Sequence, residues 1–476
     1  MLMTNLKNIK NQKFNNVKLV EILFFTFPLS FIIGNLIISI HLLLFIAFSL
    51  LLIKKSQLPF RFNKFNYLLI IFFLYLFLST VIQFPKIIDI FFEIRNIKVR
   101  EIPLEINPIF KSFLLLRFII LVIVVDTLVF NKILDLRKFF YFSLLCTSFV
   151  SLDIILQYIT GYDIFGFKSI SESRSAGPFG DEAIAGSYLQ KFSFFSFFCI
   201  YFINFKNKNF NKLLLFFVII LHSSAILLSG NRMPMVLFIF GCLIIIAFVK
   251  NFRFVMSLSL VVFTAISIYV NANNPSIYNR TIAFINEINF IKNIQIKKNI
   301  TTTQNEKNEK SKKVKQESKF SISFIATYAH NSIYETSLEV WKMQPLFGNG
   351  LKSFRFACWT VLSKTKGSRL SCSNHSHNYY LEILTDAGII GSFFIIIFFI
   401  IMLKDSFRYI KWSYRKANSD LYLFIPIFLT FFLEIWPLKS TGSFFTTGNA
   451  TFLWLIVSLI SGIIYKKNYA ISSKVK

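Results

Sequence analysis

Long apolar stretches alternate with short connections rich in lysine and arginine along nearly the whole chain. An α-helix rises about 1.5 Å per residue, so about 20 consecutive apolar residues cross a hydrocarbon layer of ~30 Å. Runs of this kind lie near 18–34, 36–53, 65–83, 109–130, 138–160, 183–203, 213–229, 233–249, 254–270, 388–403, 421–437 and 448–465. About twelve transmembrane helices are therefore expected. The first run is read as a span and not a cleaved leader, because another apolar run follows at once without a small-residue cleavage site. One segment breaks the rhythm, at 271–386. Its part 292–319 is rich in Lys, Asn, Gln, Glu and Ser with no apolar period, and is expected to be a solvated, disordered insert. Beyond it, Ser332–Gln344 has a helical pattern through Ile333, Leu338 and Trp341, ended by Pro345 and Gly348.

Composition sharpens this picture. Of the 476 residues 55% are hydrophobic, 62 of them Phe, and only 16% are charged. A soluble core of this chain length could not hide that much apolar surface, and disorder, a disulfide scaffold, collagen and a coiled coil are excluded by the same balance. The net charge of +29 invites a nucleic-acid reading until its distribution is considered. The N-terminus, 54–64, 131–138, 204–212, 250–253, 404–419 and the C-terminus carry 25 basic residues against Asp135, Asp405 and Asp420. The short connections on the other side balance eight basic residues with eight acids. The positive-inside rule makes the first set cytoplasmic, with both termini inside. Nucleic acid is not needed to explain the charge. The expected class is an all-α membrane protein: helices 1–9 in residues 1–270, a large periplasmic loop at 271–386, helices 10–12 in 387–465 and a cytoplasmic tail at 466–476.

Candidate chemistry gathers on the outer side. Three of the five histidines, His330, His375 and His377, fall in the large loop. Asn374 or Ser376 can cap the helical pattern that follows, placing His377 in its first turn. The positive end of that helix disfavours imidazolium and leaves a neutral imidazole able to accept a proton. A capping or buried structural histidine fits the same spacing, and a metal held by His375 and His377 lacks further ligands. Arg174, Arg232, Arg280, Arg355 and Arg369 also lie outside; each can anchor at the interface or present a guanidinium fork to phosphate oxygens. Arg117, Asp153 and Lys191 stand inside spans, where ionisable groups face a cavity or one another. Cys358 and Cys372 are 14 positions apart and would close a loop in an oxidising compartment; two unrelated thiols are the alternative. Cys146, Cys199 and Cys242 lie in spans and read as packing residues.

Five stretches in order resemble the bacterial O-antigen ligase and polymerase-like proteins. They are Arg174-x-x-Gly177-x-Phe179, Ser229-Gly230-Asn231-Arg232, Pro345-x-x-Gly348-x-Gly350-x-x-x-Phe354, His377-Asn378-x-x-Leu381-x-x-Leu384-x-x-x-Gly388-x-x-Gly391, and Ser440-Thr441-Gly442-Ser443-Phe444-Phe445. They cover 174–465, while the first 170 residues match only in hydropathy. The resemblance implies a multi-pass protein of the bacterial inner membrane. Facing the periplasm, it would move a glycan from undecaprenyl diphosphate to a lipid A–core hydroxyl, with inversion and no metal or other cofactor. His377 is the implied base, with Asn378 beside it. Arg232 is one implied diphosphate ligand, Arg174 belongs to an earlier periplasmic element, and Lys191 and Arg117 are supporting candidates. The second family arginine sits fifteen positions before the proline of the Pro-x-x-Gly turn, and here that position is His330. His330 when protonated, or Arg355, which stays charged at any relevant pH, can take its place; Arg355 is preferred. The implied partners are the lipid-linked donor, a lipid A–core or other glycan acceptor, and membrane lipid. A polymerase using the same donor is the close alternative, with a protein-directed oligosaccharyltransferase or exopolysaccharide polymerase behind it. A flippase or transporter is the different class; it would show repeat symmetry and no large ordered outer loop, and no long repeat is visible.

Overall fold

The computed structural model describes residues 16–475 apart from 61, 98–101, 104–105, 204–207, 286–327, 366–369, 417–419 and 441. The 292–319 insert and Arg369 lie outside the described residues. All twelve apolar runs lie on helices: α1 (Asn16–Phe25), α2 (Phe27–Ile33), α3 (Asn35–Lys55), α4 (Lys64–Ile94), α5 (Pro108–Leu115), α6 (Arg117–Phe130), α7 (Leu136–Thr160), α8 (Ala185–Phe202), α9 (Lys208–Leu228), α10 (Arg232–Phe248), α11 (Arg253–Asn273), α15 (Tyr379–Arg415), α16 (Leu421–Glu434) and α17 (Thr447–Val475). Between α11 and α15 stand α12 (275–285), α13 (Tyr328–Met343) and α14 (Phe354–Lys364).

Among the described residues eight helices are long and apolar enough to cross a membrane, α5 with α6 counting as one, and nine if the bent pair α1–α2 is a single span. The expected twelve full-length spans are thereby reduced to eight or nine, for two physical reasons. Helices α10 and α16 are short, with 17 and 14 residues. Helix α8 carries Gln190 and Lys191 and is buried almost throughout, so its surroundings are protein instead of lipid and its sequence can afford polar groups. The 51° bend between α1 and α2 falls just before Pro28, which has no N–H to continue the ladder.

Helices α17 and α8 form the interior, and Trp454 of α17 is the centre of an aromatic cluster with Phe73 of α4, Phe398 of α15 and Phe444. Two turns further along α17 a polar knot ties three helices. Asn63, the N-cap of α4, donates to Asp126 Oδ2 (2.7 Å) and Ser461 Oγ (2.9 Å), and Asn66 and Ser461 donate to the same carboxylate oxygen. A second, smaller core stands apart. Phe84, Ile87 and Phe92, from the far end of α4, pack there with Ile333 and Val340 of α13 and Phe354, Phe356 and Cys358 of α14. Cys358 is bonded to Cys372 with a Cα–Cα distance of 5.5 Å, which staples α14 to the segment leading into α15. This satellite positions the candidate site.

Candidate active site

A break in α15 organises the site. Gly388 has φ 64° and ψ −167°, so residues 379–387 and 389–415 are separate helical segments. A helix end leaves carbonyls unbonded and a helix start leaves N–H groups unbonded. The turn 345–350 satisfies both. Ile389 N and Ile390 N donate to Pro345 O (2.9 Å) and Leu346 O (3.2 Å), while Asn349 N and Gly350 N donate to Thr385 O (2.9 Å) and Asp386 O (3.0 Å). The two backbones approach so closely that a Cβ on Gly348 or Gly388 would overlap the opposing main chain. The Pro345–Gly350 and Gly388 motifs are therefore two halves of one backbone clamp. Helix α4 braces it: Tyr75 Oη donates to Ala387 O (2.9 Å), Ser79 Oγ to Phe347 O (2.7 Å), and Leu351 N to Thr80 Oγ1 (2.9 Å).

His377 stands just outside the first segment. Its φ is 54°, and the N-cap is Asn378, whose side chain accepts from Tyr380 N (3.0 Å) and Leu381 N (3.2 Å). The expected cap at Asn374 or Ser376, with His377 in the first turn, is corrected: His377 has a left-handed backbone, and the helix begins only after it, at Tyr379, with Asn378 as its cap. The imidazole is still kept neutral, but from a different cause. Burial pushes its pKa down to about 4, and the neighbouring His375 and His330 add to the depression. Ring centroids lie 4.1 Å from His375 and 4.9 Å from His330. His377 Nε2 is 3.1 Å from Ser373 Oγ, and Tyr334 Oη donates to His377 O (3.4 Å). Such a group can take a proton from a hydroxyl at neutral pH. Among the described residues no three His, Cys, Asp or Glu side chains are arranged to hold a metal ion.

The strap between α16 and α17 closes over this helix start. Asn378 Nδ2 donates to Pro437 O (2.9 Å) and Lys439 O (3.2 Å), and Tyr380 Oη to Ile435 O (2.6 Å). Glu382 Oε1 accepts from Ser443 Oγ (2.5 Å) and its Oε2 from Phe444 N (2.6 Å), which gives the Ser440–Phe445 motif a structural reason. Beneath the strap lies a buried ionic cluster. Glu434 Oε1 accepts from Tyr379 Oη (2.6 Å) and is 3.6 Å from Lys191 Nζ, and Glu434 Oε2 is 2.7 Å from Lys439 Nζ. Lys191 also donates to Asn449 Oδ1 (2.7 Å).

A separate constellation forms where α10 begins. Asn231 holds the start of α8, accepting from Gly186 N (3.0 Å) and donating to Ala183 O (2.8 Å), and this sets Arg232 at the N-terminal end of α10. Arg174 reaches the same place, since Ser175 N donates to Leu228 O (3.1 Å) and Gly177 N to Gln157 Oε1 (2.8 Å). Arg280 of α12 joins them. Burial, with Arg174 and Arg232 next, pulls its pKa down to about 10. Arg355 and His330 stand elsewhere. His330 belongs to the histidine group. Arg355 faces Glu382 and Asp386, with Lys352 beside it, and burial with Arg355 as the next cause pushes Lys352 down to about 8. Arg117 sits apart at the α5–α6 junction over Phe118, and Asp153 accepts from Ile164 N (2.8 Å).

Several residues of this arrangement were not singled out by the sequence. Glu434 could have been found by the rule that marked Asp153 and Lys191, as an acid within an apolar run. Tyr75, Ser79 and Thr80 carried no signal, because an amphipathic residue in a span looks like any other.

Residues 214–396 match the family described as O-antigen ligase. No curated protein matches the chain. The matched stretch holds Arg232, Arg280, the clamp of Pro345–Gly350 on Gly388, and His377, whereas Arg174 and the 435–446 strap lie beyond it. This stretch is an O-antigen ligase domain. That family is one of lipid-linked glycan transfer, of ligase or polymerase type, in surface polysaccharide biosynthesis, and the chain around the matched stretch is a multi-pass helical membrane protein.

Proposed function

We propose that the chain is the ligase itself, joining an undecaprenyl-diphosphate-linked glycan to a lipid A–core hydroxyl at the periplasmic face of the inner membrane. The observation that carries this reading is a neutral, half-buried His377 inside the ligase domain, just before the short helical segment that the backbone clamp ends, with Arg232 and Arg280 in the same domain. The basic connections support cytoplasmic termini and an outward-facing site, with α8, α10 and α16 crossing in the shelter of their neighbours.

A sugar diphosphate already has a good leaving group, so the protein has two tasks. His377 removes the proton of the acceptor hydroxyl as its oxygen attacks the anomeric carbon. The bond from that carbon to the phosphate oxygen breaks, and Arg232 and Arg174 neutralise the charge that appears on the departing diphosphate. Attack opposite to the leaving group inverts the anomeric centre. The proton on His377 then passes to solvent. Asn378 and the strap hold the imidazole in place; Lys191 acts on it through Glu434 and Tyr379.

A deletion strain separates ligase from polymerase on a lipopolysaccharide gel. Loss of all capped core with accumulated lipid-linked polymer supports the ligase. Core bearing a single repeat would assign a polymerase, and an unchanged profile would sink both.

A further inference from the structure

Arg280 lies in α12, in no stretch that the sequence motifs mark. Its segment is docked onto the loop before α8: Ser276 Oγ donates to Glu172 Oε2 (2.7 Å), Asn274 Nδ2 to Glu172 O (3.4 Å), and Arg280 Nη1 to Ser173 Oγ (3.4 Å). Arg174 and Arg280 both pass over Gly230. A Cβ on that glycine would stand 2.9 Å from Arg174 Cγ and 3.2 Å from Arg280 Nη1. Arg232 follows two residues later, with its guanidinium 5.6 Å from the ring centroid of Phe284 on α12.

Three like charges gathered in this way repel one another. Among the described residues no carboxylate is paired with Arg174 or Arg280, and the Nε atoms of both are buried without a hydrogen-bond partner. Arg355 stands elsewhere, within electrostatic reach of the acidic residues Asp386 and Glu382. Guanidinium groups packed together with donor capacity to spare are matched by a polyanion with several oxygens.

We infer that Arg280 completes a three-guanidinium cradle with Arg174 and Arg232 and supplies the second-phosphate contact of the donor diphosphate, the role for which Arg355 or His330 was expected. The inference rests on the donor reading above. It fits the course of the reaction: the glycosylated diphosphate carries one charge on each phosphate and gains another as the sugar departs, so a third guanidinium favours the leaving state over the bound donor.

The test uses the full chain in nanodiscs and its tryptophan fluorescence, with undecaprenyl diphosphate and undecaprenyl monophosphate as probes. Wild type is expected to prefer the diphosphate. Arg280→Gln should lower diphosphate affinity by ~10–100-fold, the loss of one charge-assisted contact, and change monophosphate affinity by less than ~3-fold. Arg280→Lys, which keeps the charge but not the fork, should fall between the two. Arg280→Gln that melts like wild type yet keeps the diphosphate preference would overturn the inference and leave the donor reading standing. Should Arg280→Gln fail to fold, an unchanged preference in Arg280→Lys overturns it equally. A wild type that binds neither probe would remove the donor reading and this inference with it.

Discussion

Replacing Glu434 by Gln removes the single negative charge between two buried lysines. Glu434 is 1% exposed, and the side chains of Lys191 and Lys439 are 7% and 6% exposed, so water cannot take over its role. At separations of 2.7 and 3.6 Å the two attractions are each about 5 kcal/mol at an effective dielectric of ~20, before the cost of desolvation. Removing one partner of a buried ion pair costs about 3–5 kcal/mol in practice. For a chain of 476 residues the unfolding entropy is on the order of 1 kcal/mol per kelvin, which turns the loss into a fall of ~3–5 °C in the unfolding midpoint. The assay is thermal unfolding in nanodiscs at one fixed scan rate, because membrane proteins of this size unfold irreversibly. The amide of Gln can still accept from Tyr379, so the shift reports charge and not shape. Adding Lys191→Met to Glu434→Gln removes one stranded cation and should recover part of the midpoint, a non-additive result. A shift below ~1 °C for Glu434→Gln, with simple additivity in the double variant, would refute the ionic cluster as a structural element.

Transfer by wild type should stay flat from pH 8 down to about 5 and fall only as pH drops through about 4, where His377 takes up its proton; an acid limb at the ordinary histidine value of ~6.5 would refute the depression of its pKa by burial. The same lowered pKa means that the unfolded chain binds this proton before the folded one does. Stability from His377 is therefore complete above ~6.5 and declines as pH falls toward about 4, readable from unfolding midpoints across that window. Gly388→Ala forces a methyl into the backbone of Leu346 and Gly348, so little folded protein should be recovered on size exclusion; normal yield and activity would dismiss the clamp. Cys358→Ser with Cys372→Ser should cost about 3 kcal/mol of loop closure, seen as faster proteolysis between α14 and α15, and the wild-type mass after alkylation should shift only when a reductant is added.

Much of this protein is legible in the order of its residues. Apolar runs fold as helices because a backbone in lipid must satisfy its own hydrogen bonds, and each of the twelve runs lies on one. His377 and Arg232 could be chosen from short motifs, since a cap, a turn and a helix start are made within a few residues. Where the reading went astray the interaction was longer in range. The cap moved from Asn374 or Ser376 to Asn378 because Asn378 is also held by Pro437 and Lys439, about 60 positions away. Hydropathy makes α8 a span like the others because it does not say whether a neighbour is lipid or protein, and the structure surrounds α8 with protein.

The sequence by itself determined that this is a helical membrane protein, that its basic residues are sorted to one set of connections, and that a histidine and several arginines are available for chemistry. Only the tertiary structure decided which of those groups meet. Arg280 joins Arg174 over Gly230, whereas Arg355 lies within electrostatic reach of Asp386 and Glu382, and His330 lies beside His377. Hydropathy and helical period act over a few turns of one segment. The meeting of side chains more than a hundred positions apart depends on how those segments pack, and Arg174 and Arg280 meet here over Gly230, where a Cβ would leave them no room.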